Sequence, residues 1–184
     1  KYIGTVDIKD TTKEVLSKMM VGRDVNFVVE KKEQKLGDVV LTVENVSVPA
    51  HTGKEDVVKN VSFEVRAGEI VGIAGIDGNG QTEFVSALTG LEKISGGKIT
   101  LCGKDITKSS IRERSTSGMS HIPEDRHKHG LVLEYSVEEN MILQRYFEPA
   151  FQKFGFIKKK EMRQYAERLI KQFDVRSGQG PITI

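Results

Sequence analysis

The chain has 184 residues, 29% charged and 38% apolar, with a formal net charge of +2. This composition fits a globular chain rather than a disordered one, with one domain and a short appendage, and the balanced charge argues against a nucleic-acid footprint. The single cysteine excludes an internal disulfide, and no apolar run reaches the roughly 20 residues of a membrane-spanning helix.

Tyr2–Ile8 reads as a short strand. Asp10-Thr11-Thr12 offers a cap, and Lys13–Val21 reads as a helix with Val15, Leu16, Met19 and Met20 apolar. Arg23–Gly37 is polar, carries the charge run Glu30–Lys35, and reads as a linker. From Asp38 the pattern tightens. Val39–Val48 is β-branched and partly alternating, a strand, and Val57–Val65 returns as a second, which predicts an antiparallel hairpin. Ile70–Ala74 is a short apolar strand, Gly75–Gly80 a glycine-rich loop, and Gln81–Thr89 a helix stopped by Gly90. Its apolar face is Phe84, Val85 and Leu88.

Lys98–Leu101 predicts a further strand, Gly103-Lys104-Asp105 a turn, Ser109–Ser117 a helix and Met119–Ile122 a short strand. Ser136 caps a helix running through Gln144, with Glu138 and Glu139 in the first turn, where the helix dipole favours them. Lys158–Phe173 is the clearest amphipathic helix. Met162, Ala166, Leu169, Ile170 and Phe173 recur at helical spacing and read as core. Cys102 follows Leu101 in a strand-like run and reads as a small buried residue, not a nucleophile. The basic runs Lys31-Lys32, Arg126-His127-Lys128 and Lys158–Lys160 read as solvated surface. His127 and His129 lack further ligands at metal spacing and read as loop residues. The start at Lys1 has no initiator Met and no signal-peptide apolar stretch, so the chain reads as a piece of a longer one.

The stretch that carries chemistry is Gly75-Ile76-Asp77-Gly78-Asn79-Gly80-Gln81-Thr82. The phosphate-loop pattern is G-x-x-x-x-G-K-[ST]. Gly75, Gly80 and Thr82 match it, and Gln81 stands where lysine belongs. Glycines let backbone N–H groups approach an anion, and the following helix points its positive end at the same place. Thr82 would place a hydroxyl on Mg²⁺ between phosphates. Glutamine can donate a hydrogen bond but carries no charge to neutralise what develops in phosphoryl transfer. Binding can therefore survive where hydrolysis is weakened.

The loop through Glu83, followed by Leu88-Thr89-Gly90-Leu91 and Ser95-Gly96-Gly97-Lys98-Ile99, resembles the second nucleotide-binding domain of tandem ABC importers for simple sugars and nucleosides. His121–Arg126, Gly130–Leu133 and Glu138–Met141 extend the likeness, and the nucleoside-uptake branch looks nearest. The resemblance implies an α/β P-loop NTPase core with an antiparallel β-subdomain and part of a helical subdomain. It divides the chain into a preceding domain's tail at 1–25, a linker at 26–37, the ATPase core and β-subdomain at 38–135, and the start of a helical subdomain at 136–184. It implies ATP and Mg²⁺ as cofactors. ATP contacts are expected from Gly75, Asp77, Gly78, Asn79, Gly80, Gln81, Thr82 and Glu83, and Mg²⁺ contacts from Thr82 and Glu124.

In that family the second half often has a degenerate loop, with arginine or glutamine for lysine. Glu124 stands where most ABC domains carry glutamine, and a glutamate could still ligate Mg²⁺. The alternative is a surface turn. Val46–Lys54 lacks the aromatic on which many ABC domains stack adenine, and His51 is its only ring. The serine-glycine-glycine signature, the Mg²⁺-binding aspartate, the catalytic glutamate and the switch histidine are expected beyond Ile184, so no catalytic residue is assigned here.

The implied partners are the preceding nucleotide-binding domain, transmembrane permease subunits and, indirectly, a solute-binding lipoprotein, with the chain at the cytoplasmic face of the membrane. Leu131–Tyr146 is the expected partner surface. The competing reading is a structural or dimerisation module without nucleotide affinity. A free-standing P-loop kinase or GTPase fits poorly, because Gln81 removes the lysine and no base-recognition motif is present.

Overall fold

The computed structural model describes residues 3–22, 34–51, 53, 55–176, 178 and 180–182. The expected linker lies largely outside the described residues. The chain divides into two units, Lys1–Ser117 and Gly118–Ile184.

The first unit is built on β1 (Val39–Pro49) and β2 (Asp56–Arg66), the expected antiparallel hairpin. β3 (Gly96–Leu101) and the short β4 (Lys104–Asp105) complete a sheet of order β2-β1-β3-β4, with all pairs antiparallel. Val43, Val46 and Val48 of β1, Val58 of β2 and Ile99 of β3 are buried. Their β-branched side chains suit a half-buried pleat. α2 (Gln81–Thr89) adds Phe84 and Ala87 to that core, and the Phe84 ring meets Phe63 edge-on at 5.9 Å between centroids. α3 (Ile111–Thr116) starts at a capping box, in which Ser110 and Glu113 exchange bonds. α1 (Lys13–Val21) starts at Thr12 as expected and stops at Gly22, but buries none of its residues.

Three expectations in this unit fail. Residues 3–7 form no strand, and a 3₁₀ turn follows at Ile8–Asp10. Ile70–Ala74 is apolar yet forms no strand, and Ile70, Val71 and Ile73 are exposed. Among the described residues no strand lies alongside this segment to receive its hydrogen bonds, and an apolar run without a ladder stays irregular. Cys102 is exposed, not buried. With Gly103 it forms the two-residue β3–β4 turn, at φ +48 and +78. Both central residues of a type I′ hairpin need positive φ.

In the second unit, α4 (Arg126–His129) is a single turn capped by Asp125, where the sequence predicts loop. α5 (Val137–Ile142) starts at Ser136, with Glu139 closing a capping box, and is shorter than expected. β5 (Gln152–Lys153) and β6 (Phe156–Ile157) form a small hairpin that the sequence does not announce. α6 (Lys159–Phe173) is the predicted amphipathic helix. Met162 joins Ile142 and Phe151 in the core, with Tyr165 against them, and Ala166 is also buried. Phe173, expected in the core, is exposed. Met119–Ile122 forms no strand, and Ile122 is exposed. It too has no neighbouring strand among the described residues.

Candidate functional site

The candidate site is the loop entering α2. Ile76 O accepts from Asn79 N at 3.3 Å, which folds Asp77 and Gly78 into a tight turn with Gly78 at φ +81. Gly80 follows at φ +89 and is buried. A Cβ there would lie 3.1 Å from Val57 O and 3.0 Å from Val58 Cγ2. Positive φ and close approach to β2 both require glycine.

Gly80 is the N-cap of α2 and has no side chain to cap it. The N–H groups of Gln81, Thr82 and Glu83 are therefore left without an intrahelical acceptor. Phe84 N is the first to bond back, to Gly80 O at 2.8 Å. A turn with positive φ that opens a helix gathers N–H groups into a concavity suited to an anion. Asp77, Gly78, Asn79 and Thr82 are exposed, and Gln81 and Glu83 are half-buried.

Gln81 turns back toward the start of the loop. Its amide nitrogen donates to Ile76 O at 3.1 Å, and its oxygen accepts from Gly75 N at 2.9 Å. That orientation is fixed by its partners, since the reverse would set like against like. Sequence reasoning missed this fold-back. It treated Gln81 only as a weak substitute for lysine.

Beside the loop, between β2 and residues 71–75, lies a cleft of about 590 Å³. Val58, Val61, Phe63, Ile73, Gly75, Gln81 and Phe84 line it. At the far end of α2 the buried Arg114 donates to Ala87 O at 3.1 Å and Leu88 O at 2.7 Å. This anchor is a second feature the sequence did not signal.

Glu124 belongs to the second unit and is exposed in a bend after Pro123. Thr82 and Glu124, the two expected Mg²⁺ contacts, thus lie on different units. Among the described residues no group of three or more His, Cys, Asp or Glu gathers as a metal cage, His127 and His129 included. His51 is exposed, and its Nε2 lies 3.4 Å from Glu92 Oε1.

The loop's glycine spacing at the head of a helix matches the phosphate-loop pattern, with Gln81 in the lysine's place. The profile of the family described as ABC transporter matches residues 58–179, and the chain belongs to that family. It is 47% identical over 176 residues to the nucleoside import ATP-binding protein NupA of Lactococcus lactis subsp. cremoris, covering 96% of this chain and 35% of that protein. It is 46% identical over 177 residues to the guanosine import ATP-binding protein NupO of Bacillus subtilis, covering 96% and 34%. A ribose import ATP-binding protein, RbsA of Clostridium tetani, is 44% identical over 143 residues, covering 78% and 27%. The chain thus spans about a third of the length of the curated relatives it matches. The fold is also that of solved ATP-binding cassettes. The post-hydrolysis dimer of MJ0796, bound to ADP and Pi, matches with a TM-score of 0.59 at 19% identity, covering 78% of this chain and 60% of that one. No described helix is long and apolar enough to cross a membrane.

Proposed function

We propose that this chain is part of the ATP-binding subunit of an ABC importer for a nucleoside or simple sugar, and forms its second, degenerate nucleotide-binding half. The observation that carries this reading is the positive-φ turn at Gly78 and Gly80 that leads into the uncapped N–H groups of Gln81, Thr82 and Glu83, with the uncharged Gln81 side chain beside it. Backbone groups of this kind hold phosphate, and the missing charge weakens hydrolysis more than binding. The relatives named for nucleoside and guanosine import support the substrate class.

In this reading 1–25 ends a preceding nucleotide-binding domain, 26–37 links, 38–135 is the core with its β-subdomain, and 136–184 opens the helical subdomain. The backbone N–H groups of Gly78, Gly80, Gln81, Thr82 and Glu83 hold the phosphates of ATP. Asp77 and Asn79 flank them. Mg²⁺, when bound, neutralises phosphate charge, and the Thr82 hydroxyl and Glu124 carboxylate are oxygen donors suited to it. The preceding half hydrolyses ATP, and this half completes a composite pair. The chain works at the cytoplasmic face of the membrane, with Leu131–Tyr146 against the permease subunits and a solute-binding lipoprotein upstream of them.

A second reading, a structural module without nucleotide affinity, is favoured by the lack of a cationic side chain in the loop and by the lack of an aromatic in 46–54. Photo-crosslinking with an azido analogue of ATP separates the two. The first reading expects label on the peptide holding Gly75–Glu83, competed away by ATP. Absence of competed label on that peptide favours the module.

A further inference from the structure

Gln81 is the first residue of α2, where the phosphate-loop pattern places lysine. Its amide bridges the loop's first two residues, through Gly75 N–H and Ile76 C=O. A Cβ on Gly75 would collide with that amide. Gly75 has no positive φ, and the nearest atoms a Cβ there would meet are those of the Gln81 amide.

We infer that Gln81 is a positioning residue: its amide closes the loop on itself instead of holding a phosphate. The donor count supports this. An amide has an acceptor and two donors, whereas an ammonium has three donors and no acceptor. Glutamine can therefore serve Gly75 N–H and Ile76 C=O together. Lysine could serve only the carbonyl. The substitution exchanges a charge aimed at the terminal phosphate for a loop braced before any ligand arrives.

A consequence for specificity follows, resting on the nucleotide reading above. If backbone N–H groups alone hold the phosphates, no side-chain charge rewards a third phosphate. Nucleoside di- and triphosphates then bind this half about equally.

The test is NMR on the ¹⁵N-labelled chain, native and with Gln81→Ala, Gln81→Lys or Gly75→Ala, each with and without MgADP or MgATP. Amides of β1 and β3 report whether each variant is folded. Amide exchange at Gly75 should quicken about fivefold in Gln81→Ala and Gln81→Lys, the factor one ordinary hydrogen bond carries. Gly75→Ala should expel the same amide from the other side, seen as a shift of the Gln81 side-chain NH₂ signals. In the native chain those signals should stay in place on adding nucleotide, while backbone amides of Gly78, Gly80 and Thr82 move. MgADP and MgATP should bind within about threefold of each other, and Gln81→Lys should favour MgATP by about tenfold or more. Equal exchange at Gly75 in the native chain and Gln81→Ala overturns the brace. So does a swing of the Gln81 amide on nucleotide binding. If no loop amide responds to either nucleotide, the nucleotide reading falls, and Gly75 exchange still decides the brace.

Discussion

Arg114 closes the end of α2 opposite the phosphate loop, donating from Nη1 to Leu88 O at 2.7 Å. The same guanidinium reaches Ala87 O at 3.1 Å, Ser109 O at 3.1 Å and Thr107 O at 3.0 Å. One buried side chain thus reaches two of the helix's terminal carbonyls and ties α2 to the segment after β4. The loop at the other end of α2 is positioned by this anchor as well as by Phe84. Burial lowers the Arg114 pKa, but a guanidinium remains charged at any physiological pH.

Arg114→Ala should destabilise the first unit by about 3 kcal/mol, because buried carbonyls lose their donors. Arg114→Lys should recover only part of the loss, since an ammonium cannot spread over four acceptors as a planar fork does. Urea midpoints measure both. Equal midpoints for Arg114→Ala and the native chain would contradict the anchor.

Gly80→Ala should cost about 1–3 kcal/mol, from positive φ and from pressing a methyl on β2. It should also abolish nucleotide binding, since the loop can no longer turn there. A thermal melt and a binding isotherm read the two effects separately.

Asn140 clips the segment before α5 to the helix. Its Oδ1 accepts from Val132 N at 2.8 Å, and its Nδ2 donates to Val132 O at 2.9 Å and Tyr135 O at 3.2 Å. Asn140→Ala should cost about 2 kcal/mol. Asn140→Asp should be worse at neutral pH, because a carboxylate faces the carbonyls of Val132, Tyr135 and Ser136 and can donate to none of them. Raised amide exchange at Val132 in both variants is the local readout.

Acid should weaken both units. Glu113 is held low by the backbone and hydroxyl of Ser110, Glu139 by the hydroxyl and backbone of Ser136, and Glu148 by hydrogen bonds from Arg145. Each folded value lies below the ordinary 4.5. These groups therefore stabilise the fold fully above that value, and the contribution disappears as pH falls through the lowered ones. The urea midpoint should be flat near neutrality and decline below about pH 4.5. Glu113→Gln combined with Glu139→Gln should flatten that decline.

Elements with chemical punctuation were legible in the sequence. Thr12 and Ser136 mark helix starts, Gly90 marks a stop, and β-branched runs mark β1 and β2. The loop was legible because its glycines and the hydroxyl of Thr82 sit at fixed spacing. The misses have physical causes. Ile70–Ala74 and Met119–Ile122 have strand composition, but a strand also needs a neighbour, which a local pattern cannot supply. The two short hairpins turn on Cys102-Gly103 and Phe154-Gly155, where a thiol and an aromatic residue adopt φ +48 and +51. Asn-Gly would have placed such turns; without it the first is read one residue late, at Gly103–Asp105, where Lys104–Asp105 is in fact β4, and the second is not read. The brace by Gln81 depends on how a side chain folds back within one loop, which spacing does not encode.

The most direct measurement is calorimetric titration of MgATP into the native chain beside Thr82→Ala and Gln81→Lys. The account predicts saturable one-site binding by the native chain, weaker binding by Thr82→Ala, and tighter binding by Gln81→Lys. No binding by the native chain, with recovery in Gln81→Lys, would contradict it: the loop would be intact but switched off, and the chain a structural half that holds no nucleotide.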